Sequence, residues 1–369
     1  MRTMKILLLG FPVLKKAFLQ CGHEVLTCTT DQCGDIWIEA FPVSIDRVLQ
    51  SLPRGWSPDL VFLMDESTEP MFFGLERLAI PTAWYTIDAH LHLHWHKAYA
   101  AVFDFVFVAQ KDYVLDYTCD PSRQAVTWLP LFSDLERDCH CVLPKIYDLS
   151  FVGVINSTWK PERSRLLEAV GARTPLYTTT GEYVSVFNRS KVVLNECAAN
   201  DVNFRIFEAL ACGSLLLTEH VGNGFDELFQ DRKHLVMYDR SNINQIVELA
   251  QYYAHHKQER EAIAYAGREV VLKSHSTVHR AQTITEIIQT SNSHKFVSSR
   301  QAKLSEVYEL LTYVYEHAAG IYEVASQRHQ QSALQFRECV RMHTMYQDVR
   351  RDALQRLRGH AQYSSGVSL

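Results

Sequence analysis

The chain has 369 residues, of which 47% are hydrophobic and 21% are charged, and its formal net charge is −5. This length exceeds what one ordinary hydrophobic core holds and predicts two domains with additional material. Because acidic residues are in excess, no global basic field attracts nucleic acid or anionic lipid, and we expect no nucleic-acid partner. No apolar run approaches the roughly 20 residues that cross a bilayer, so we expect no integral membrane segment.

The cysteines and the first residues bear on the compartment. Ile6–Leu9 is far shorter than the roughly 7–15 apolar residues of a signal peptide, and we interpret it as a buried first strand. The nine cysteines form no CxxC pair, which favours reduced thiols in a cytoplasm. Cys139 and Cys141 flank His140 and could bind a metal, but their spacing matches no common zinc pattern. We therefore expect a cytoplasmic protein.

The first part of the chain alternates short apolar runs with amphipathic stretches, which predicts β-α-β units on a parallel sheet. A helix is expected over Pro12–Gln20, after the first strand. No GxGxxG pattern follows that strand, which argues against a dinucleotide-binding dehydrogenase. The predicted strands are Lys5–Leu9, Glu24–Thr27, Leu60–Met64, Thr82–Thr86 and Phe105–Val108.

The same pattern restarts near residue 149 with a predicted strand over Leu149–Ile155. A helix over Pro161–Val170 follows, opened by proline in its first turn. The polar stretch between Pro130 and Pro144 is the predicted linker. Further strands are expected at Lys191–Leu194 and Ser214–Thr218, and further helices at Asn203–Ala211 and Ile243–His255. We predict an α/β fold with two Rossmann-like domains, 1–143 and 144–296, facing each other across a cleft, and an α-helical extension over 297–369.

The extension carries a heptad pattern of apolar residues. Its members are Leu304, Tyr308, Leu311, Tyr315, Ala318 and Tyr322. A second helix with arginine-rich faces, at Arg341, Arg350, Arg351 and Arg356, is expected to follow. The heptad face either packs on the body of its own chain or pairs between protomers in a homo-oligomer, and contact with a membrane surface is a third alternative.

The most informative stretch is 200–229. Asp201 can cap a helix whose apolar face includes Phe207, and the carboxylate of Glu208 borders that face. A carboxylate there needs a partner, because burial of an unpaired charge is costly. Arg205 at i−3 could form a helix ion pair worth about 0.2–0.5 kcal/mol. Alternatively, Glu208 accepts the hydroxyl groups of a ribose, a recurring way to hold nucleotides.

Two neighbouring features suit an anion. The helix start near Asn203 offers free N–H groups and the positive end of the helix dipole to a phosphate. The turn Gly222-Asn223-Gly224 allows backbone amides to approach an anion closely. Each glycine alone is also compatible with an ordinary turn. Together the features predict a site for a ribose and a diphosphate.

A second polar cluster, Asp88-Ala-His90-Leu-His92-Leu-His94-Trp-His96, follows a predicted strand and should lie at the carboxyl edge of the first sheet. Asp88 or His90 is our candidate for the general base that deprotonates an acceptor hydroxyl. The alternate histidines could instead chelate a metal, or be surface residues of a polar helix start. In a helix, His92 and His96 would be neighbours.

These motifs carry a resemblance. Glu208-Ala-Leu-Ala-Cys-Gly213, the 222–224 turn and Glu227-Leu228 resemble the donor-binding segment of two-domain GT-B glycosyltransferases. Asp148–Gly153, Arg163-Ser-Arg-Leu-Leu, Ser190–Asn195, Asn203–Glu208 and Ser274–Arg280 are similar to the spore-maturation-protein-like (CgeB-like) branch of that superfamily.

The resemblance implies a hexosyltransferase-like enzyme that moves a sugar from a nucleoside-diphosphate donor to an acceptor hydroxyl, without a metal and without a cofactor. Glu208 would hold the ribose, and Arg205 with the 222–224 turn would face the diphosphate. Tyr177 lies where base contacts are expected. The remaining implied donor-site residues are Asn203, Gly213, Gly153, Lys160 and Arg163. The acceptor stays open: a protein, a glycan, a lipid or a small molecule.

One position departs from the family pattern. Retaining relatives carry two glutamates separated by seven residues, and the position eight before Glu208 is Asn200. The missing acid contacts the sugar in those relatives, so the stereochemistry of transfer stays open. Two other functions are compatible with this departure: a nucleotide-sugar-binding pseudoenzyme or assembly protein, and a sugar-nucleotide epimerase.

Overall fold

The computed structural model describes residues 2–117, 122–155, 158, 160–324 and the separate residues 334, 337, 338, 340 and 341. Three of the four arginines of the predicted second extension helix, Arg350, Arg351 and Arg356, lie outside the described residues, as does the side chain of Tyr322. The same holds for Cys119 and Cys339. The described cysteines are all free thiols.

Two parallel sheets organise the chain. The strands are β1 (Lys5–Gly10), β2 (Glu24–Cys28), β3 (Val43–Ser44), β4 (Leu60–Met64), β5 (Phe72–Phe73), β6 (Thr82–Thr86), β7 (Phe105–Val108), β8 (Ala125–Trp128), β9 (Tyr147–Val152), β10 (Tyr177–Thr179), β11 (Ser190–Asn195), β12 (Leu215–Glu219) and β13 (Val236–Tyr238). The first sheet has the order β2-β1-β4-β6-β7-β8 and the second the order β10-β9-β11-β12-β13, while β3 and β5 form a small separate pair.

Helices cover both sheets. They are α1 (Lys15–Gln20), α2 (Ile45–Gln50), α3 (Ala89–Tyr99), α4 (Val114–Tyr117), α5 (Pro161–Gly171), α6 (Val184–Arg189), α7 (Phe204–Ala211), α8 (Phe225–Leu228), α9 (Ile243–His255), α10 (Lys257–Ser274), α11 (Thr277–Thr290), α12 (Ser293–Ala302) and α13 (Leu304–Val324). Among the described residues, no helix combines the length and the apolar character needed to cross a membrane.

The central strands have nearly continuous apolar sequences because helices cover both faces of each sheet. Ile6–Leu9 of β1 and Leu60–Leu63 of β4 are buried throughout, and the two strands pair in parallel register from Ile6 opposite Leu60. In the second sheet, Val192–Leu194 of β11 are buried between β9 and β12. The predicted fold class, two Rossmann-like domains with a helical extension, is confirmed.

The linker between the sheets is long and partly fixed by the end of the second domain. Ser133 N donates to His275 O at 2.9 Å, and Thr277 N donates to Ser133 O at 3.0 Å. Arg280 donates from Nη2 to Leu131 O at 2.9 Å. Ser276 begins α11 with a capping box, accepting from His279 N and donating from its own backbone N to the His279 ring. The chain therefore returns to the first domain at a well-defined helix start.

The chain crosses back to the first domain at the start of α11, before the domain boundary predicted between residues 296 and 297. Helix α11 packs against α1 of the first domain, and its Ala281, Ile284 and Ile288 belong to the same apolar cluster as Met4 and Phe18. After His275 the chain therefore returns to the first domain. The sequence shows no clear signal of this crossing because α10 and α11 are separated by only two residues.

The heptad face of α13 packs on the first domain of its own chain. Tyr308, Leu311, Tyr315 and Ala318 are buried in one cluster with α3 and the first sheet, while Leu304 is partly buried against it. Among the described residues, this face is therefore not available for the predicted pairing between protomers.

Arg300 fixes α12 on the same domain. Its side chain is 2% exposed, and its guanidinium pairs with both carboxylate oxygens of Asp104 at 3.0 and 3.1 Å. The remaining donors reach backbone carbonyls before β6, including Glu76 O at 2.6 Å and Leu78 O at 3.0 Å. A buried ion pair whose other donors are all hydrogen-bonded can form in only one packing geometry. It therefore determines the position of α12 rather than merely adding to its attachment.

Candidate active site in the interdomain cleft

A cavity of about 260 Å³ lies between the carboxyl ends of the two sheets. We call it the cleft cavity. Ligands of open α/β sheets bind at this edge. Eight of the predicted site residues line it: Asp88, His90, Gly153, Lys160, Arg163, Asn203, Arg205 and Glu208. These residues are far apart in sequence, and the fold brings them together.

Glu208 lies on α7 with 8% of its surface exposed and reaches the cleft cavity. Its Oε2 is 3.4 Å from Arg205 Nε, and its Oε1 is 3.4 Å from Nη2 of Arg137. Burial raises the pKa of Glu208, against the lowering effect of Arg205. The i−3 ion pair is therefore present, but both contacts are long for hydrogen bonds, and the carboxylate keeps acceptor capacity toward the cavity.

Arg137 also contacts the Glu208 carboxylate. It was not predicted from the sequence, because it lies in the linker rather than in a recognised motif. Its Nε donates to Asp138 Oδ1 at 2.9 Å, and Tyr183 OH donates to the same oxygen at 2.6 Å. Asp138 and Tyr183 thus hold the guanidinium beside Glu208. The linker is part of the wall behind the candidate ribose site.

The start of α7 presents unsatisfied polar atoms. Asn203 occupies the N-cap position, where its side chain caps nothing, and its buried Oδ1 has no hydrogen-bond partner among the described residues. Arg205 donates from Nη1 to Val152 O, whereas its buried Nε lacks a hydrogen bond within the same residues. Buried polar atoms are rarely left unpaired, so such atoms around one cavity favour a polar ligand there. His90 Nδ1, on the opposite wall, is a third.

The positive charges of the cleft cavity divide into paired and unpaired. Arg163 pairs with Glu196 at 2.6 Å, and Glu196 also pairs with Arg240 at 2.8 Å. Lys160, in contrast, forms no ion pair with any residue that the structure describes, and it precedes α5 at the mouth of the cavity. Lys160 is therefore the cation free to meet an anionic ligand.

On the opposite wall, Asp88 and His90 lie where β6 ends and α3 begins. Asp88 has a left-handed backbone, with φ of 49°, and is the residue before the helix. Burial lowers the pKa of His90, and the charge of Lys160 lowers it further, against the raising effect of Asp88. The imidazole is therefore neutral near pH 7 and can accept a proton.

Asp201 completes this cluster from the second domain, although the sequence suggested it only as a helix cap. Its side chain accepts from Gln110 Nε2 instead, and burial raises its pKa to about 7, with the charge of Asp88 adding to the rise. One ligand atom each from Asp88, His90 and Asp201 lie within 4.8 Å of one another. Such a trio can exchange protons or hold a divalent cation.

Asn200, at the position of the family's missing glutamate, is turned away from the cleft cavity. Its Oδ1 accepts from Gly222 N at 2.7 Å. The acidic side chain that reaches the cavity from this segment is that of the next residue, Asp201.

The alternative in which the alternate histidines chelate a metal is not found among the described residues, where the trio above is the one group of three candidate metal ligands. α3 is a helix, so its histidines do not share one face. His92 and His96 are neighbours, as expected for a helix, with ring centres 5.3 Å apart. His92 also contacts Ser67 Oγ at 3.2 Å, whereas His94 contacts His317 at 3.1 Å. His96 is buried against Thr86 and Tyr117. His140, between the two linker cysteines, contacts Cys212 O.

The 222–224 turn does not present free amides to the cleft cavity, contrary to the prediction. Gly222 N donates to Asn200, and Asn223 N donates to Asp112 Oδ2 at 3.0 Å. Gly224 lies against the Trp128 ring. The turn is an interdomain contact, because its amides are already satisfied by side chains from distant segments.

Two further predicted residues also lie outside the cleft cavity. Tyr177, in the edge strand β10, is stacked on Tyr147 at a ring distance of 4.0 Å and is partly exposed. Gly213 has φ of 74° and ends α7 against His140, at the opposite edge of the sheet. Its place in the motif reflects the turn out of the helix rather than contact with a ligand.

Residues 137–286 match the model of a family described as glycosyl transferase-like. The matched range contains Lys160, Asn203, Arg205 and Glu208, but not Asp88 or His90. The second domain and its linker therefore carry a glycosyltransferase-like segment. No curated protein gives a significant match.

Solved structures of the same fold include sucrose-phosphate synthase from Thermosynechococcus elongatus, which is 12% identical, with a TM-score of 0.54 over 78% of this chain and 98% of the other. HepE from Anabaena, in complex with UDP and glucose, is 13% identical, with a TM-score of 0.55 over 78% and 100%. A glycosyltransferase from Rickettsia africae is 10% identical, with a TM-score of 0.54 over 78% and 98%. The chain has the GT-B fold.

We expect Asp201→Asn to stabilise the protein at alkaline pH. Because burial raises the folded-state pKa of Asp201 to about 7, its contribution is most favourable at low pH and is lost as the pH rises through 7. The asparagine cannot ionise. The melting temperature of the Asp201→Asn protein should therefore exceed that of the wild type by an amount that grows between about pH 4 and pH 7.

Thermal unfolding followed by circular dichroism across this pH range measures the difference. Glu168→Gln, at an exposed position of the same domain, is the control and should show no such growth. A difference for Asp201→Asn that does not change with pH would contradict the placement of this carboxyl in a desolvated site.

Proposed function

We propose that the protein is a glycosyltransferase that moves a sugar from a nucleoside-diphosphate donor to an acceptor hydroxyl. The observation that carries the proposal is the position of Glu208. It reaches the cleft cavity beside the start of α7 and opposite Asp88 and His90. A carboxylate for ribose hydroxyls, a helix start for phosphate and a proton acceptor thus surround one space. We also propose that the chain belongs to the CgeB-like branch, supported by the motifs of β9, β11 and α7.

The donor would bind along the second domain. Glu208 accepts from the ribose hydroxyls, with Arg137 and Arg205 beside the carboxylate to orient it and to oppose the effect of burial on its pKa. The diphosphate meets the free N–H groups of the first turn of α7 and the unpaired charge of Lys160. UDP is the natural first donor nucleotide to test, because HepE, which shares the fold, was solved with UDP and glucose.

Sugar transfer needs a proton acceptor and a stabilised leaving group. The acceptor oxygen forms a bond to the sugar's anomeric carbon, the bond from that carbon to the diphosphate oxygen breaks, and the electron pair leaves with the nucleoside diphosphate. His90, which is neutral near pH 7, takes the acceptor proton, and Asp88 stabilises the resulting imidazolium. Lys160 and the α7 start stabilise the charge that develops on the leaving diphosphate.

Asp201 has a separate part in this proposal. Its carboxyl group is protonated below about pH 7, and a protonated carboxyl can donate a hydrogen bond to a sugar hydroxyl. It would supply the acidic contact to the sugar that Asn200 cannot make.

Glu208→Ala should abolish UDP binding while the fold is retained. The lost carboxylate accepted two ribose hydroxyls, and each charged hydrogen bond contributes about 1.5–3 kcal/mol, so we expect a loss of at least a hundredfold in affinity. Isothermal titration of UDP measures it, with the exposed Glu168→Ala on α5 as the matched control. Unchanged affinity in a folded Glu208→Ala protein would reject the donor site.

His90→Asn and Asp88→Asn should each slow turnover with little change in UDP affinity. Loss of a general base costs about 10²–10⁴-fold in rate, and we expect the larger effect for His90. Hydrolysis of UDP-glucose, with water as acceptor, is the assay before the acceptor is known. His94→Asn, whose ring contacts His317 outside the cleft cavity, is the control. Full activity in both variants would remove the base role.

Metal removal should leave the rate unchanged. Lys160 and the helix start supply the positive charge that a divalent cation would otherwise bring. Rates of UDP-glucose hydrolysis before and after EDTA treatment, and after addition of Mn²⁺, are therefore expected to agree. If EDTA stopped the reaction and Mn²⁺ restored it, metal independence would be wrong, and Asp88, His90 and Asp201 would be the site to assign to the cation.

A further inference from the structure

A second cavity lies at the other edge of the second sheet. It has a volume of about 780 Å³, within the range of small-molecule sites. Lys145 precedes β9, Lys191 lies at the start of β11, and α10 forms the facing wall. These are the amino ends of parallel strands, whereas the cleft cavity lies at their carboxyl ends. We call this second space the basic cavity.

The charge of the basic cavity is strongly one-sided. Among the described residues, five cationic side chains line it with one lining carboxylate, that of Glu261: Lys145, Lys191, Lys257, Arg260 and Arg268. Lys191 is paired with Asp148 at 2.6 Å, and Lys257 lies 3.9 Å from Glu261, so the excess positive charge comes from Lys145, Arg260 and Arg268. The three from α10 follow one another at intervals that place them on one face of the helix. This concentration of positive charge occurs in a chain whose net charge is −5.

Arg260 is the most deeply placed of the five, with 7% of its side chain exposed. Its Nη1 donates to the backbone oxygens of Tyr253 at 2.8 Å and Ala254 at 3.1 Å. Its nearest carboxylate contact, to Glu261, is at 4.0 Å and exposed. Carbonyl oxygens satisfy the donors but do not neutralise the charge, so the guanidinium leaves a positive potential in the cavity.

Lys145 and Arg268 extend this potential. Lys145 Nζ is 3.4 Å from Ser214 Oγ, and Arg268 Nε donates to Ala211 O at 3.2 Å. Neither forms an ion pair with any residue in the described part of the chain. Burial, together with the charge of Arg260, lowers the pKa of Lys145 to about 8. Partly buried cations without an acidic partner are costly, and a bound anion would relieve that cost.

We infer that the basic cavity binds a phosphate group. Guanidinium and ammonium groups in one pocket match the charge and the acceptor geometry of a phosphate. At its rim, Val142 is 94% exposed and Tyr265 is 65% exposed, so the phosphate can be carried on an apolar body. The two sources of such a group are a soluble phosphate compound and the headgroup of an anionic phospholipid.

The test uses two probes on the full chain: inorganic pyrophosphate, followed by thermal shift, and vesicles of phosphatidylcholine with or without phosphatidylglycerol, followed by co-sedimentation. All proteins carry Lys160→Met, which removes the unpaired cation of the cleft cavity, so the outcome is independent of the donor site. Lys145→Met with Arg268→Gln is compared with Lys273→Met, an exposed lysine of α10 outside the basic cavity.

We expect at least one probe to bind the reference protein and the Lys273→Met control, with an affinity at least tenfold lower in the double variant. A pyrophosphate shift alone identifies a soluble ligand, and sedimentation only with phosphatidylglycerol identifies a lipid headgroup. The ligand-free melting temperature should not fall in Lys145→Met, because an unpaired buried charge is removed. That single variant replaces the double one if the latter does not fold. Absence of binding by both probes, or equal binding by the double variant, would overturn the inference.

Discussion

Gln110 joins the two domains at the floor of the cleft, and the geometry of the candidate site depends on it. It follows β7 and is 1% exposed. Its Nε2 donates to the Asp201 carboxylate and to Val202 O at 3.3 Å, while its Oε1 accepts from Val202 N at 3.0 Å. A side chain amide that satisfies a backbone N–H and C=O of the other domain fixes both segments with little freedom. The start of α7 is thereby held at a set distance from the end of the first sheet.

Burial has opposite effects on the two titratable types in the cleft cavity. It raises the pKa of the Asp201 carboxyl to about 7 and lowers that of the His90 imidazole, so the carboxyl is protonated below about pH 7 and the imidazole is neutral near pH 7. Lys160, which forms no ion pair with any described residue, lines the same cavity and contributes positive potential there. Asp201 and His90 resemble the separated acid and base that many enzymes obtain by environment alone.

The central strands and helix α7 could be predicted well from the sequence, whereas the strands at the edges of the sheets could not. β4, β6 and β7 have the predicted bounds because fully buried parallel strands are continuous apolar runs. β8, β10 and β13 were not predicted. They are short edge strands, and Tyr177-Thr-Thr in β10 has no more apolar character than a loop.

Within the candidate site, residues of one local motif could be placed from the sequence, and residues held by distant contacts could not. Glu208 and Asn203 belong to one motif at α7, and both line the cleft cavity. The positions of Arg137 and Asp201 depend on contacts across 71 and 91 residues, which no local pattern reports. The prediction of free amides in the 222–224 turn was wrong for the same reason, because Asn223 N donates to the side chain of Asp112, which lies 111 residues earlier in the chain. A local sequence pattern indicates which structures and contacts a segment can form, and side chains distant in sequence determine which of these contacts it does form.

The return of α11, α12 and α13 to the first domain has a consequence for biosynthesis. During translation, the residues of β1 to β8 leave the ribosome before the helices that cover Phe18 and the first sheet exist. The second domain, by contrast, has all its layers once residue 275 has emerged. The first domain is therefore synthesised first but completed last. Until α12 has been made, the carboxylate of Asp104 has no ion pair with Arg300.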